Sequence, residues 1–444
     1  METPETFEQR YKRLTNSSSS FCPLLYDHAT IQTTGKFKLC CVAKDSTTQM
    51  SASDSPNSIA NYWNSKSVRS SRKMMMNSLY PSECSDCKRL DELNIPSKRS
   101  SAVKSMHNNS GYGNYILDRI ENSTDNDFNV AKMPSDFDIK FGNLCNLKCR
   151  MCNAGSSSQI AKEVKANWNL VEKKEYPYSE NYNLDPDKGS LPNFEYYDSP
   201  NFINSMEATK DDLVHLKFTG GEPLLIKQMF KFLKQLIDKN LSKNISLHFV
   251  TNLTKLTEEM MQDYFSKFAQ VTFSVSLDGY KSSYEYIRYP AKWRIIEKNI
   301  ELLGRYNNNI DVNFSVCYDI YNCISYIYTC NWIDVVSRKY KFNKYNPKKA
   351  HKESVDPIFI DHPSWLDVRN LPLTVKEKLC NMYDKGMFKN ELKYIQSLST
   401  KDIDLSMKDF VKYTNTVDKV RGQSFEQSCP QEWDLVKEYF YGSE

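Results

Sequence analysis

The chain has 444 residues, enough for two or three domains with sizeable cores. Hydrophobic residues make up 40% and charged residues 26%, an ordinary globular balance, and 59 basic against 55 acidic side chains leave a formal charge of only +4. That near-balance removes the electrostatic case for nucleic acid or an anionic membrane as partner. No stretch approaches the ~20 apolar residues that cross a bilayer, and Met1 to Arg13 lacks a signal-peptide core. The expected compartment is a reducing cytoplasm, that of a host if the Lys-, Asn-, Tyr- and Ser-rich composition reflects an AT-rich viral gene. There, 13 cysteines point to metal or redox groups rather than disulfides.

In chain order, residues 22–92 carry cysteines and turn residues without clear periodicity. Residues 95–130 mix Ser, Asn, Gly and Lys and read as a linker with a short helix at Tyr115–Asn122. From about residue 136, apolar or β-branched runs alternate with helical patterns. The strands expected are Phe137–Phe141, Leu213–Phe218, Ile245–Thr251, Val271–Leu277 and Ile310–Tyr318. The helices expected are Ser156–Asn167, Ile226–Asn240, Glu258–Phe268 and Lys292–Tyr306. Such alternation predicts βαβ units and a parallel sheet. Residues 170–200 read as an insertion loop, and Val355–Ile360 as one more strand. Beyond Thr374 the pattern is helical, over Val375–Tyr383, Glu391–Leu398, Ser406–Val420 and Gln431–Phe440. Phe410, Tyr413, Val417 and Val420 share a face that reads as packing surface, with Lys408, Lys412 and Lys419 off it.

After the first strand comes Cys145-Asn146-Leu147-Lys148-Cys149-Arg150-Met151-Cys152. Three thiolates on one loop can hold three corners of a cubane and leave the fourth iron open; they can equally supply three ligands to zinc, and spacing alone leaves both readings standing. After the second strand comes Gly220-Gly221-Glu222-Pro223, in which two glycines allow close backbone approach and Glu222 offers an acceptor to a cation. Upstream, Cys22, Gly35, Cys40, Cys84 and Cys87 form a second constellation, two pairs of thiols that suit zinc or an iron–sulfur cluster. Cys41 directly follows Cys40 and is an alternative to it. Cys317, Cys323, Cys330, Cys380 and Cys429 have no paired spacing and read as structural thiols.

The CxxxCxxC loop and the GGEP turn together resemble the radical S-adenosylmethionine superfamily over roughly residues 133–345. The resemblance implies a partial (β/α)6 TIM-like barrel. It also implies that Cys145, Cys149 and Cys152 hold a [4Fe–4S] cluster whose unique iron binds the amino and carboxylate groups of S-adenosylmethionine. The reduced cluster would cleave that ligand to a 5′-deoxyadenosyl radical. Met151 stands where the family usually has an aromatic residue. Gly220, Gly221, Glu222 and Pro223 would contact the methionine amino group. Thr251 and Asn252, then Ser276 and Asp278, follow in the family's order, the latter near the ribose, and Arg288 matches an arginine for the ligand carboxylate.

The Cys22–Gly35–Cys40…Cys84–Cys87 pattern is similar to the first part of the SPASM/twitch auxiliary region, here placed ahead of the barrel. The resemblance implies that Cys22, Cys40, Cys84 and Cys87 ligate an auxiliary [4Fe–4S] cluster for electron transfer. The domains expected are a twitch-like domain at 1–95, a linker at 96–132, the barrel at 133–345 and a mainly helical extension at 346–444. The partners implied are S-adenosylmethionine, an external one-electron donor such as flavodoxin or ferredoxin, and an unknown substrate, either a peptide or protein or a small alcohol or sugar. No general base is identifiable. The alternative from another class is a zinc-binding adaptor without catalysis.

Overall fold

A computed structural model of the chain describes residues 5–44, 48–94, 96–124, 127–173, 194–306, 308–342, 355–383, 385, 387–398 and 402–441. The fold is mixed α/β, with eight strands that are mostly parallel. The chain falls into two compact units. The first comprises 1–142, 193–220 and 227–248; the second comprises 143–192, 221–226 and 249–444.

The first unit contains β1 (His28–Ile31), β2 (Phe37–Lys38), β3 (Asp136–Phe141) and β4 (His215–Gly220), in the order β2-β1-β3-β4. The β1–β3 and β3–β4 pairs are parallel and β1–β2 is antiparallel. One face of these strands is apolar: Ala29, Ile31, Phe137, Ile139, Leu216 and Phe218 are fully buried. The other face alternates polar residues, a departure from the doubly apolar strands usual in parallel sheets. Two helices, Lys98–Asn108 and Ser110–Thr124, occupy the stretch read as a linker. Their sequence is polar, but Met106, Ile116, Leu117 and Ile120 are completely buried, so tertiary packing stabilises them where periodicity is weak.

β5 (Ser246–Thr251) runs through the border between the units. The second unit holds β6 (Gln270–Ser276), β7 (Ile310–Tyr318) and β8 (Val355–Phe359), in the order β6-β7-β8 with parallel pairing. The helix Trp293–Arg305 separates β6 from β7 and buries Ile296, Ile300, Leu302 and Leu303. The helix Tyr326–Tyr340 follows β7, and neither it nor β1 and β2 was evident from periodicity. From Leu373 onward the described residues are helical apart from connections, and Ile403–Arg421 is the longest of these helices. Of the expected insertion at 170–200, residues 174–193 lie outside the described residues, as do 346–354 at the start of the expected extension. Pro200–Glu207 is a helix. No helix among the described residues is long and apolar enough to cross a membrane.

Candidate metal centres

The loop that follows β3 is tied down along its length. Asn143 Nδ2 donates to the Ala154 carbonyl at 2.9 Å, and Ser157 Oγ to the Leu147 carbonyl at 2.6 Å. The Lys148 and Arg150 amides donate to the Tyr289 and Ile287 carbonyls at 2.6 and 2.9 Å. With its backbone groups so satisfied, the loop presents its three cysteines in a fixed conformation.

Those thiols face a shared environment. Burial pushes Cys145 up to about 12, and the Cys149 thiol and Glu222 carboxylate add to the shift. Cys152 is raised by burial and then by Cys149 and Cys145, so the three sulfurs stand within one another's field. Cys149 is also raised by burial, against the pull of Arg288. N–H groups point at the sulfurs: Leu147 N lies 3.5 Å from Cys145 Sγ, Asn252 Nδ2 4.0 Å from the same atom, and Arg288 Nη1 3.7 Å from Cys149 Sγ. Donors so placed stabilise thiolate over thiol, which is what a metal requires of its sulfur ligands.

The glycine-rich turn lies against this loop. Gly220 has φ +110°, and a Cβ there would sit 2.8 Å from the Phe141 amide nitrogen. A Cβ on Gly221 would sit 2.2 Å from the Leu144 carbonyl oxygen, while Glu222 N donates to that same oxygen at 2.8 Å. The two glycines thus let the turn meet the backbone leading to Cys145.

Glu222 is 1% exposed. Its Oε1 accepts from Thr251 Oγ1 at 2.6 Å and Leu224 N at 3.0 Å, and its Oε2 accepts from Asn252 N at 2.7 Å. Burial raises its carboxyl, and these donors together with Arg288 oppose the rise. A carboxylate has about four acceptor positions, so three are filled and one remains for a cationic donor. The Glu222, Thr251 and Asn252 candidates therefore come together as one hydrogen-bonded group. Asp278, fully buried, accepts from Cys317 N at 2.8 Å and pairs with Arg288 Nε at 2.7 Å. Arg288 thus links Asp278 to Cys149. Ser276 is half-buried at the end of β6, and Pro223 is buried at the start of a single helical turn.

Several further residues contribute to the site. Cys317, taken as a structural thiol, lies in the field of Asp278, Arg288 and Cys149. Arg150, inside the cysteine loop, is wholly buried; it bonds to Asp418 and to Gln423 Oε1 at 3.1 Å, with its guanidinium 3.6 Å from the Tyr286 ring centre. Tyr413 OH donates to the Arg150 carbonyl at 2.8 Å, and Glu163 accepts from Lys148 Nζ at 2.8 Å and Arg421 Nη2 at 2.7 Å. The helix Ile403–Arg421, expected only to pack, therefore braces the cysteine loop as well.

In the first unit, Cys22, Cys40, Cys84 and Cys87 line one small cavity of 20 Å³, together with Leu24, Leu25, Leu39, Met75, Lys98 and Arg99. The four come from three separate segments, and Cys40 rather than Cys41 faces the cavity. Burial pushes Cys22 up to about 12 and Cys40 up to about 11. Cys84 is raised by burial and by the other three thiols. Four converging thiols have the donor chemistry of an iron–sulfur or zinc site. None of the 13 cysteines is in a disulfide. Among the described residues, no group of three or more His, Cys, Asp and Glu is arranged to hold a single metal ion. A four-iron cluster spreads its thiolate ligands wider than a single ion does, so the fit rests on the convergence of the thiols.

A cavity of 680 Å³ in the second unit is lined by Leu170, Lys408, Lys412 and Lys419 among others and contains none of the candidate site residues.

Two solved structures are similar to parts of the chain. Native anSMEcpe with bound AdoMet is 15% identical, with a TM-score of 0.29, covering 64% of this chain and 60% of that one. TYW1 with a lysine-pyruvate adduct bound is 12% identical, with a TM-score of 0.22, covering 44% of this chain and 60% of that one. The chain therefore spans about three-fifths of the length of each. No curated protein matches it. The model of the Radical SAM superfamily matches residues 139–321, a span that includes the cysteine triplet, the glycine-rich turn and Arg288. Residues 139–321 are therefore a Radical SAM superfamily domain.

Proposed function

We propose that the chain is a radical S-adenosylmethionine enzyme with a [4Fe–4S] cluster on Cys145, Cys149 and Cys152 and an auxiliary [4Fe–4S] cluster on Cys22, Cys40, Cys84 and Cys87. The observation that carries the reading is the placement of three mutually interacting thiols beside Glu222, a buried carboxylate with one acceptor position left. When bound, the first cluster and S-adenosylmethionine supply one-electron reductive cleavage of the sulfonium and a carbon radical for hydrogen abstraction.

The chain's own residues bind and orient. Glu222 accepts a hydrogen bond from the ligand's ammonium, with Thr251 and the Asn252 amide holding its carboxylate in place. Arg288 offers its guanidinium to the ligand carboxylate while Asp278 fixes its direction. Gly220, Gly221 and Pro223 set the turn that aims Glu222, and Ser276 stands at the end of β6 for the ribose. The auxiliary thiols provide a full set of four protein ligands, which suits electron transfer better than substrate binding. The substrate is a peptide or protein, or a small alcohol or sugar, and the electron donor is a flavodoxin- or ferredoxin-like protein.

The test is Cys149→Ala in protein purified without oxygen and reduced with dithionite. Production of 5′-deoxyadenosine should cease and roughly half the iron should be lost. Unchanged cleavage would refute the assignment, and a colourless protein containing zinc at both centres would favour a non-catalytic adaptor.

A further inference from the structure

The polar face of the first unit's strands is not explained by cluster or cofactor binding. Its residues stand in register across four strands: Lys38 pairs with Thr30, Thr30 with Asp138, and Asp138 with Lys217, while Lys140 stands one step on, opposite Thr219. The face is deep, with Thr30 at 0% and Asp138 at 2% exposure. Parallel strands ordinarily bury apolar residues on both faces, so a row of charges here requires partners.

The anions on this face are already committed. Asp136 accepts from His28 Nδ1 and His215 Nδ1, each at 2.6 Å, one imidazole to each oxygen. Asp138 accepts from Lys217 Nζ at 3.0 Å and from Thr219 Oγ1 at 3.4 Å. Lys140 is half-buried and has no hydrogen bond or ion pair from its ammonium among the described residues. Burial, Lys38 and Lys217 all work against its charge, and Asp138 and the Cys41 thiol are the groups that favour it. Of the three lysines, Lys217 is paired with Asp138 and Lys38 donates to the Ala43 carbonyl at 2.9 Å, which leaves the Lys140 ammonium without a fixed acceptor among the described residues.

We propose that the face around Lys38, Lys140 and Lys217 binds a small oxyanion group, a carboxylate or a phosphate, with Lys140 as its principal donor. The site lies wholly within the first unit and shares no residue with the proposed cluster ligands, so it stands or falls separately from the radical reading. An incoming oxyanion would supply the acceptor that Lys140 lacks and relieve the repulsion among the three ammonium groups.

The experiment is calorimetric titration of the full-length protein with inorganic phosphate and, separately, with acetate, comparing wild type with Lys140→Ala and Lys140→Arg. We expect saturable binding of at least one anion, about tenfold weaker in Lys140→Ala and largely retained in Lys140→Arg, which keeps the charge. Phosphate binding alone would identify a phosphate-bearing ligand, acetate alone a carboxylate, and both the shared oxyanion chemistry. Circular dichroism verifies that each variant is folded. Absence of saturable binding to folded wild type, or equal binding by folded Lys140→Ala, would overturn the proposal.

Discussion

The two thiol centres are built on opposite plans. In the second unit, three cysteines come from one eight-residue loop, and the fourth element beside them is the Glu222 carboxylate with an acceptor position to spare. In the first unit, four cysteines from three segments close around a cavity of 20 Å³ with an otherwise largely apolar lining. On the proposed reading, ligand count would separate the roles: three thiols with a polar neighbour would leave room for chemistry, and four would leave none. The two centres also differ in how each is held. The loop depends on distant braces, Arg150 with Asp418 and Glu163 with Arg421, whereas the closed centre is walled by the core around Leu24, Leu39 and Met75.

Four perturbations break or sharpen that contrast, from the largest effect down. Cys84→Ala should remove roughly half the iron and the second cluster's spectroscopic signal while leaving 5′-deoxyadenosine formation intact. Loss of cleavage together with the iron would show that the closed centre is not a separate module. Asp418→Asn leaves the buried Arg150 guanidinium without its carboxylate, and breaking a buried pair in this way costs about 3–5 kcal/mol. A fall in the urea midpoint of unfolding would register it; an unchanged midpoint would show that the brace is dispensable.

Glu222→Gln keeps the size of the side chain but removes its charge. With a charge-assisted hydrogen bond worth about 1.5–3 kcal/mol, affinity for S-adenosylmethionine should drop at least about tenfold, as measured by equilibrium dialysis. Equal affinity would detach the turn from the ligand. The smallest effect concerns the His28–Asp136–His215 group, far simpler than either centre. Burial works against both His28 and Asp136, but their pairing prevails, so the Asp136 carboxyl is pulled below its usual range and the His28 imidazole is raised above 6.5. Asp136 therefore contributes stability at neutral pH that is lost as pH falls below about 4. His28 contributes stability that is complete below about 6.5 and lost as pH rises through its folded value. In His28→Gln the fall in Tm on the alkaline side should flatten; an unchanged profile would show that the pair does not govern it.

The sequence made β3 through β7 legible because each carries buried apolar residues at alternate positions. It concealed β1, where His28 and Thr30 face one way and only Ala29 and Ile31 carry the apolar signal over four residues. It concealed Lys98–Asn108, where Met106 is the buried residue, and showed only the Tyr115–Asn122 part of the helix Ser110–Thr124. The cysteine spacings and the glycine-rich turn were legible because they are local. The Arg150–Asp418 brace joins residues 268 apart, and no local pattern could reveal it. The polar face has a local signal in the sequence: Asp136, Asp138 and Lys140 alternate with Phe137, Ile139 and Phe141, as His215, Lys217 and Thr219 do with Leu216, Phe218 and Gly220. That is a period of two in strands whose parallel setting predicts apolar residues throughout.

Iron and sulfide analysis joined to a 5′-deoxyadenosine assay, on protein purified without oxygen, tests the proposed open cubane on the 145–152 loop. An open cubane together with a second, closed cluster should give about eight irons with matching sulfide per chain and 5′-deoxyadenosine formation on reduction. Zinc without sulfide, or a fully iron-loaded protein that leaves S-adenosylmethionine intact after reduction, would contradict it.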